Sequence, residues 1–195
     1  MNLDQYAIIA VPILMVASLV LLVGLDWRGT QIALSIQYLA MFWLVTLSWS
    51  IGMAAVKLVV GLMASAVLAT TQPGNDPGET GVLPLSGRIF RALAALLLWI
   101  VIFSFSQSLM TMLHINQATS LGGLILIGMG LLQMGMNRQS ARVVIGLLTF
   151  ISGFEILYAA LENSVLVAGL LAAINLGLAL VGAYMASAAS MDRDT

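Results

Sequence analysis

Residues 30–70 read TQIALSIQYLAMFWLVTLSWSIGMAAVKLVVGLMASAVLAT, an apolar stretch whose one charged residue is Lys57. A helix crosses a bilayer in about 20 residues, so this stretch is too long for one crossing. It breaks near Trp49–Ser50 into two spans joined by a very tight hairpin. The same pattern recurs at 141–188, which breaks at Glu162–Asn163–Ser164 and holds Glu155 deep in VVIGLLTFISGFEILYAAL, 143–161. A charge at membrane depth is expensive, roughly 2.5 to 3.5 kcal/mol on insertion scales, and usually serves an ion pathway or pairs with a buried partner. Lys57 and Glu155 therefore become the first candidates for function.

Composition agrees with a membrane protein. The chain is 61% hydrophobic and 8% charged, against about 25% charged in soluble domains, and its mean hydropathy is +1.07. Lipid offers the backbone no hydrogen-bond partner, so a spanning segment is a helix or part of a closed barrel. The runs here are continuous and rich in Leu, Ala, Ile and Met, unlike the short alternating strands of barrels. The expected fold is all-α, a polytopic membrane protein with spans at about 7–24, 30–48, 50–70, 89–113, 119–136, 141–161 and 164–188.

Charge placement orients these spans. Seven crossings put the turns at 25–29, 71–88 and 137–140 on one side with the C-terminus. That side receives Arg28, Arg88, Arg138, Arg142 and Arg193, with Arg91 just inside a span, and the opposite side receives no Lys or Arg. Basic residues collect in cytoplasmic loops, so a multi-pass protein of the inner (plasma) membrane is expected, N-terminus outside and C-terminus cytoplasmic. Arg28, Arg138 and Arg142 act as topology anchors in this reading. The N-terminus has no basic region and no small-residue cleavage site, so the first span is read as retained.

Other chemistry is sparse. The chain has no cysteine, which excludes iron–sulfur clusters ligated by this chain, thiolate zinc sites and disulfides. The single histidine, His114, stands at a span end as an interfacial residue. The linker TTQPGNDPGETGVLPLSG, 70–87, is rich in Pro, Gly and acids and reads as irregular. No phosphate-binding loop, nucleotide fingerprint or Ser–His–Asp set is present, and a net charge of −1 gives no surface for nucleic acid. No cofactor and no active site are expected within this chain.

The organisation looks duplicated. LLVGLDWRGTQIALSIQYLAMF and LLQMGMNRQSARVVIGLLTFI both read as span end, basic turn and span start, with Arg28 and Arg138 in equivalent places. A three-span triplet at 1–70, a cytoplasmic linker at 71–88, a connecting span at 89–113 and a second triplet at 114–195 follow, with both triplets in parallel orientation. At 1.5 Å per residue, Lys57 lies about 10 Å and Glu155 about 9 Å below the outer edge, so the two charges share a depth. Asn175 falls nearer the middle of the last span. Gln107, Gln133, Ser104 and Ser106 add polar atoms whose ordinary use is interhelical hydrogen bonding. Glu162, at the outer turn, is solvated and marks a candidate exit. Burial disfavours the charged forms of both a carboxylate and an ammonium, which suits them to proton exchange, whereas an adjacent opposite charge restores those forms.

NRQSARVVIGLLTFISGFE resembles the second-helix region of two small three-helix membrane proteins, the K-type component of complex I and the C-type component of Mrp antiporters. The ordered set of Arg turn, Lys span, linker, Arg turn and acidic span resembles component E of group 4 energy-converting hydrogenases over about residues 10–70 and 119–188. The resemblance implies a non-catalytic membrane subunit beside large antiporter-like subunits, with redox subunits elsewhere in the complex. In the relatives the acid usually sits nearer the IGL. Here Leu148 and Ile151 hold those places, and Glu155 comes one to two turns later. Two functions remain open: a relay for protons or sodium through Lys57 and Glu155, with Asn175, Gln133 and Glu162 as lesser members, and a structural subunit whose buried charges pair with partner helices. A stand-alone small transporter is a third, weaker reading.

Overall fold

The computed structural model describes residues 3–24, 26–71, 85–137 and 139–191, with side chains from Ala7 to Ala188. Arg138, Arg193 and linker residues 72–84 lie outside the described residues. Within them the chain is helical, with seven helices and no strand: α1 (Leu3–Val23), α2 (Trp27–Val45), α3 (Ile51–Thr70), α4 (Leu85–Leu113), α5 (Gln117–Met136), α6 (Ser140–Leu161) and α7 (Val165–Met191). Each lies on an expected span, with ends displaced by at most four residues.

Helices α3 to α7 are long and apolar enough to cross a membrane, and α1 has a shorter apolar part, Ala7–Val23. Helix α2 is long enough but more polar, for a reason visible in its packing. Thr30, Gln31 and Gln37 on it are all buried inside the bundle. Its apolar residues Ile32, Ile36, Leu39 and Trp43 face outward. The helix is inverted relative to a soluble one, as a lipid-facing surface requires.

The bundle has two layers of three. Helices α1, α2 and α3 pack side by side, and so do α5, α6 and α7; across the layers α1 meets α5, α2 meets α6 and α3 meets α7. Each helix of the first triplet thus rests on its counterpart in the second. Helix α4 packs outside, on α5 and α1, and exposes Phe90, Leu93, Leu97 and Val101.

Because lipid is as apolar as the side chains, helices in a membrane are held by close packing and hydrogen bonds rather than by water exclusion. The α5–α6 pair uses the first device. Its contact is lined by Gly123 and Gly130 on α5 and Gly146 and Gly153 on α6. A Cβ at Gly130 would stand 2.5 Å from the Phe150 nitrogen, and one at Gly153 2.6 Å from the Gly123 carbonyl oxygen. The backbones touch where a side chain has no room.

The arginine-bearing end uses the second device. Arg91 donates to the Leu22 carbonyl at 2.7 Å, the Met136 carbonyl at 2.9 Å and Asn137 Oδ1 at 3.1 Å. The last carbonyls of a helix lack partners within it, so one guanidinium on α4 caps the ends of both α1 and α5. Arg91 is therefore a structural clamp as well as part of the charge asymmetry. Gly24 closes α1 in a left-handed conformation, φ +75, and a Cβ there would lie 2.8 Å from an Arg142 guanidinium nitrogen. At the opposite end, Trp49 Nε1 donates to the Glu162 carbonyl at 3.0 Å. That bond ties together the two tight turns at which the long apolar stretches break.

Candidate functional site: a buried Lys–Glu–Asn cluster

Three helices bring the site together. Lys57 stands on α3 among Ala54, Gly61, Ala64 and Ser65, the residues of that helix turned inward. Glu155 stands on the inward face of α6 with Thr149 and Ser152. The equal depths expected from the sequence are realised as direct contact. Lys57 Nζ donates to Glu155 Oε1 at 2.6 Å, and Asn175 Nδ2 on α7 donates to the same oxygen at 3.1 Å. The residues are 5%, 2% and 2% exposed, so this ion pair is removed from both water and lipid. Charge-assisted bonds of this length are about twice as strong as neutral ones. Desolvation opposes them, and removing one partner of a buried pair costs about 3–5 kcal/mol because the other charge is stranded.

The other residues singled out from the sequence scatter. Gln133 is buried, but on α5, where its amide donates to the Ser18 carbonyl of α1 at 3.4 Å. It is an interhelical hydrogen bond and does not join the pair. Glu162 is exposed, and its contact with the interior is its backbone carbonyl, held by Trp49. Ser104 bonds back to the Ile100 carbonyl on the exposed side of α4, and Gln107 is exposed there too. Ser106 is buried and bonds to the Phe103 carbonyl. His114, with φ 54, makes the left-handed turn between α4 and α5. Arg28 is exposed at the start of α2, and Arg142 donates to Gln139 Oε1 at 3.1 Å.

A second set of polar groups lies beside the pair and escaped the sequence reading. Tyr38 of α2 is 2% exposed and lies within electrostatic reach of Glu155. Its ring packs on Gly61 of α3, where a Cβ would come within 2.4 Å of it. Gln37 Nε2 donates to Thr149 Oγ1 on α6 at 3.4 Å. Further along, the Ser35 and Ser65 hydroxyls lie 3.1 Å apart, and Ser65 Oγ donates to Gln31 Oε1 at 3.3 Å. Among the described residues, Gln37 Oε1, Gln31 Nε2 and Asn175 Oδ1 are buried with no hydrogen-bond partner, as are Trp27 Nε1, Arg88 Nε, Trp99 Nε1 and Thr119 Oγ1, while Tyr38 Oη faces the Ser152 hydroxyl. A buried polar atom left so costs about 1–3 kcal/mol, so the three beside the pair and along α2 do not serve stability. The signal for them was present in the spacing: Gln31, Ser35 and Tyr38 recur at helical intervals on one face of α2.

Chemically the cluster holds one acid and one base in contact, with no nucleophile activated by histidine. No group of three or more His, Cys, Asp or Glu side chains able to hold a metal occurs among the described residues. The arrangement suits proton exchange or charge pairing. Comparisons with family models, characterised proteins and solved structures gave no match.

Proposed function

We propose that this chain is a non-catalytic membrane subunit of an ion-translocating complex, and that Lys57 and Glu155 are its relay, with Asn175 setting the position of the carboxylate. The observation that carries the reading is the buried 2.6 Å contact between Lys57 and Glu155, shared with Asn175. A proton passing along that contact neutralises both groups at once, which is the least costly way to change charge where water is excluded. The structural alternative supposed that the two charges pair with helices of other subunits. They are satisfied inside this chain, which favours the relay. An internal latch between α3 and α6 is what the structural reading becomes.

The setting rests on the sequence resemblance. The parent machine in this proposal is complex I-like, hydrogenase-like or an Mrp-type antiporter. Antiporter-like subunits lie alongside in the membrane, and redox subunits sit elsewhere in the complex. The arginine-bearing end faces the cytoplasm.

The test separates assembly from transport. E155Q keeps the size and hydrogen-bonding shape of the side chain and removes its acid. Native complexes from membranes of the variant measure assembly, and everted vesicles measure ion movement. Transport lost per assembled complex is the expected result, with the quantity of complex lowered only as far as the stranded Lys57 destabilises it. Loss of the complex itself, repaired by K57M/E155Q together with full transport, would make the pair a latch and end the relay.

A further inference from the structure

The polar groups around the pair are distributed on one side of it. From the end without arginines, Lys57 lies about 9 Å along α3 and Glu155 about 9 Å along α6 at the helical rise. Toward that near end the inward residues of α3 and α6 and of the turn before α3 are Trp49, Ala54, Ile156 and Ala159, all apolar and between 0% and 4% exposed, while the buried Thr119 and Ser120 of that end stand on α5. Trp49 is pinned by its bond to the Glu162 carbonyl. Toward the arginine-bearing end buried polar residues run among apolar ones such as Leu34, Ala64, Leu68 and Ile145. Tyr38 sits about 10 Å from the near end, Thr149 about 18 Å, and Gln31 and Ser65 about 21 Å. Gln31 is one turn from Asp26, which is exposed.

The polar groups on this second side form bonded pairs with unpartnered atoms beside them. Gln37 is bonded to Thr149 through its nitrogen while its oxygen is unpartnered, and Gln31 is bonded to Ser65 through its oxygen while its nitrogen is unpartnered. Tyr38 Oη, facing the buried Ser152 hydroxyl and within electrostatic reach of Glu155, is the next group toward the pair. Donors and acceptors of this kind are the places that hold internal water, which needs two to four polar partners. Bridging waters would join such side chains into a continuous hydrogen-bonded file.

We infer that the Lys57–Glu155 pair exchanges protons with the arginine-bearing side alone, through a lane of Tyr38, Gln37, Thr149, Ser65 and Gln31 that admits water, while Trp49 and its apolar neighbours close the opposite side. The inference rests on the relay reading and adds its direction. Release toward the far side then requires the Trp49–Glu162 tie to open or the pair to hand its proton to a neighbouring subunit.

The absence of cysteine from the chain makes the lane directly testable. Single replacements S65C and T149C place a thiol in the lane at nearly unchanged volume. A54C places one in the seal, and S18C places one in a buried serine site of α1 away from the lane. Each is made in the full complex and exposed to silver ions, a probe of water-sized access, in sealed vesicles of either orientation. Thiols left unreacted are counted after denaturation. S65C and T149C are expected to react at least about tenfold faster from the arginine-bearing side than S18C, which is reached only when the surrounding helices open, and A54C is expected to stay protected from both sides. Lane thiols that react no faster than S18C, or equally from both sides, overturn the inference. Neither result depends on transport. One-sided reaction together with normal transport in E155Q leaves the lane standing and removes the relay. Protected lane thiols with lost transport in E155Q do the reverse.

Discussion

Helix α6 turns one face to α5 and another to α2, α3 and α7, and the two faces are built on opposite rules. Against α5, Gly146 and Gly153 bring backbone close to backbone, and at Gly153 there is no space for even a methyl group. On the other face Thr149, Ser152 and Glu155 gather buried polar atoms, and several of their neighbours lack partners. Gly146 and Gly153, seven residues apart, fall on one side of the helix, and Glu155, nine residues from Gly146, falls about half a turn round from it, so helical geometry alone sorts the two roles. The contrast teaches how a bundle in lipid divides its work. Dense contact supplies stability on one face, and the other face holds costly groups in a fixed place.

That comparison can be broken from either side. The largest effect belongs to the pair: K57M should cost about 3–5 kcal/mol by stranding a buried carboxylate, read as a lower unfolding midpoint in detergent, and K57M/E155Q should recover most of it. A fully stable K57M would mean that Glu155 is not held as an ion by Lys57. Next comes the seam. Replacing Gly130 by leucine forces atoms into Phe150 backbone, at about 2–3 kcal/mol for overpacking, while transport per assembled complex stays at the native level. A loss of transport at preserved stability would show that the seam is part of the site after all.

Gly61→Ala comes third and probes the boundary between the two rules. Its Cβ would meet the Tyr38 ring at 2.4 Å, so the ring must leave its place beside the pair. A stability change of about 1 kcal/mol is expected, together with a clear fall in transport. The smallest effect on stability is that of T149V, which removes the Gln37 bond at about 0.6 kcal/mol, an ordinary interhelical hydrogen bond. If the lane matters, transport falls in T149V more than that loss of stability explains. Equal and small changes in both would reduce the Gln37–Thr149 bond to simple glue.

The fold was legible because long apolar runs and sorted arginines are one-dimensional signals. The breaks at Trp49–Ser50 and Glu162–Asn163–Ser164 were readable for the same reason, although α2 already ends at Val45. The pair was legible because its depth follows from helical rise, so that Lys57 and Glu155 could be set level before any contact was known. The lane was not. Gln31, Ser35 and Tyr38 are individually ordinary, and their meaning comes from facing Ser65, Gly61 and Thr149 on two other helices. Arg91 was read only as part of the charge asymmetry, since sequence records which side a charge falls on but not which carbonyls it reaches. Gln133 and Glu162 were grouped with the relay by depth and spacing. Helix packing instead directs Gln133 to α1 and leaves the Glu162 side chain exposed.

The central claim is that Glu155 works as an acid and does not merely hold α6 to α3. Ion transport in everted vesicles of E155Q, divided by the amount of assembled complex, tests it most directly. The account predicts transport lost per assembled complex, beyond any fall in the quantity of complex that stranding Lys57 brings. A native quantity of complex with native transport would contradict it.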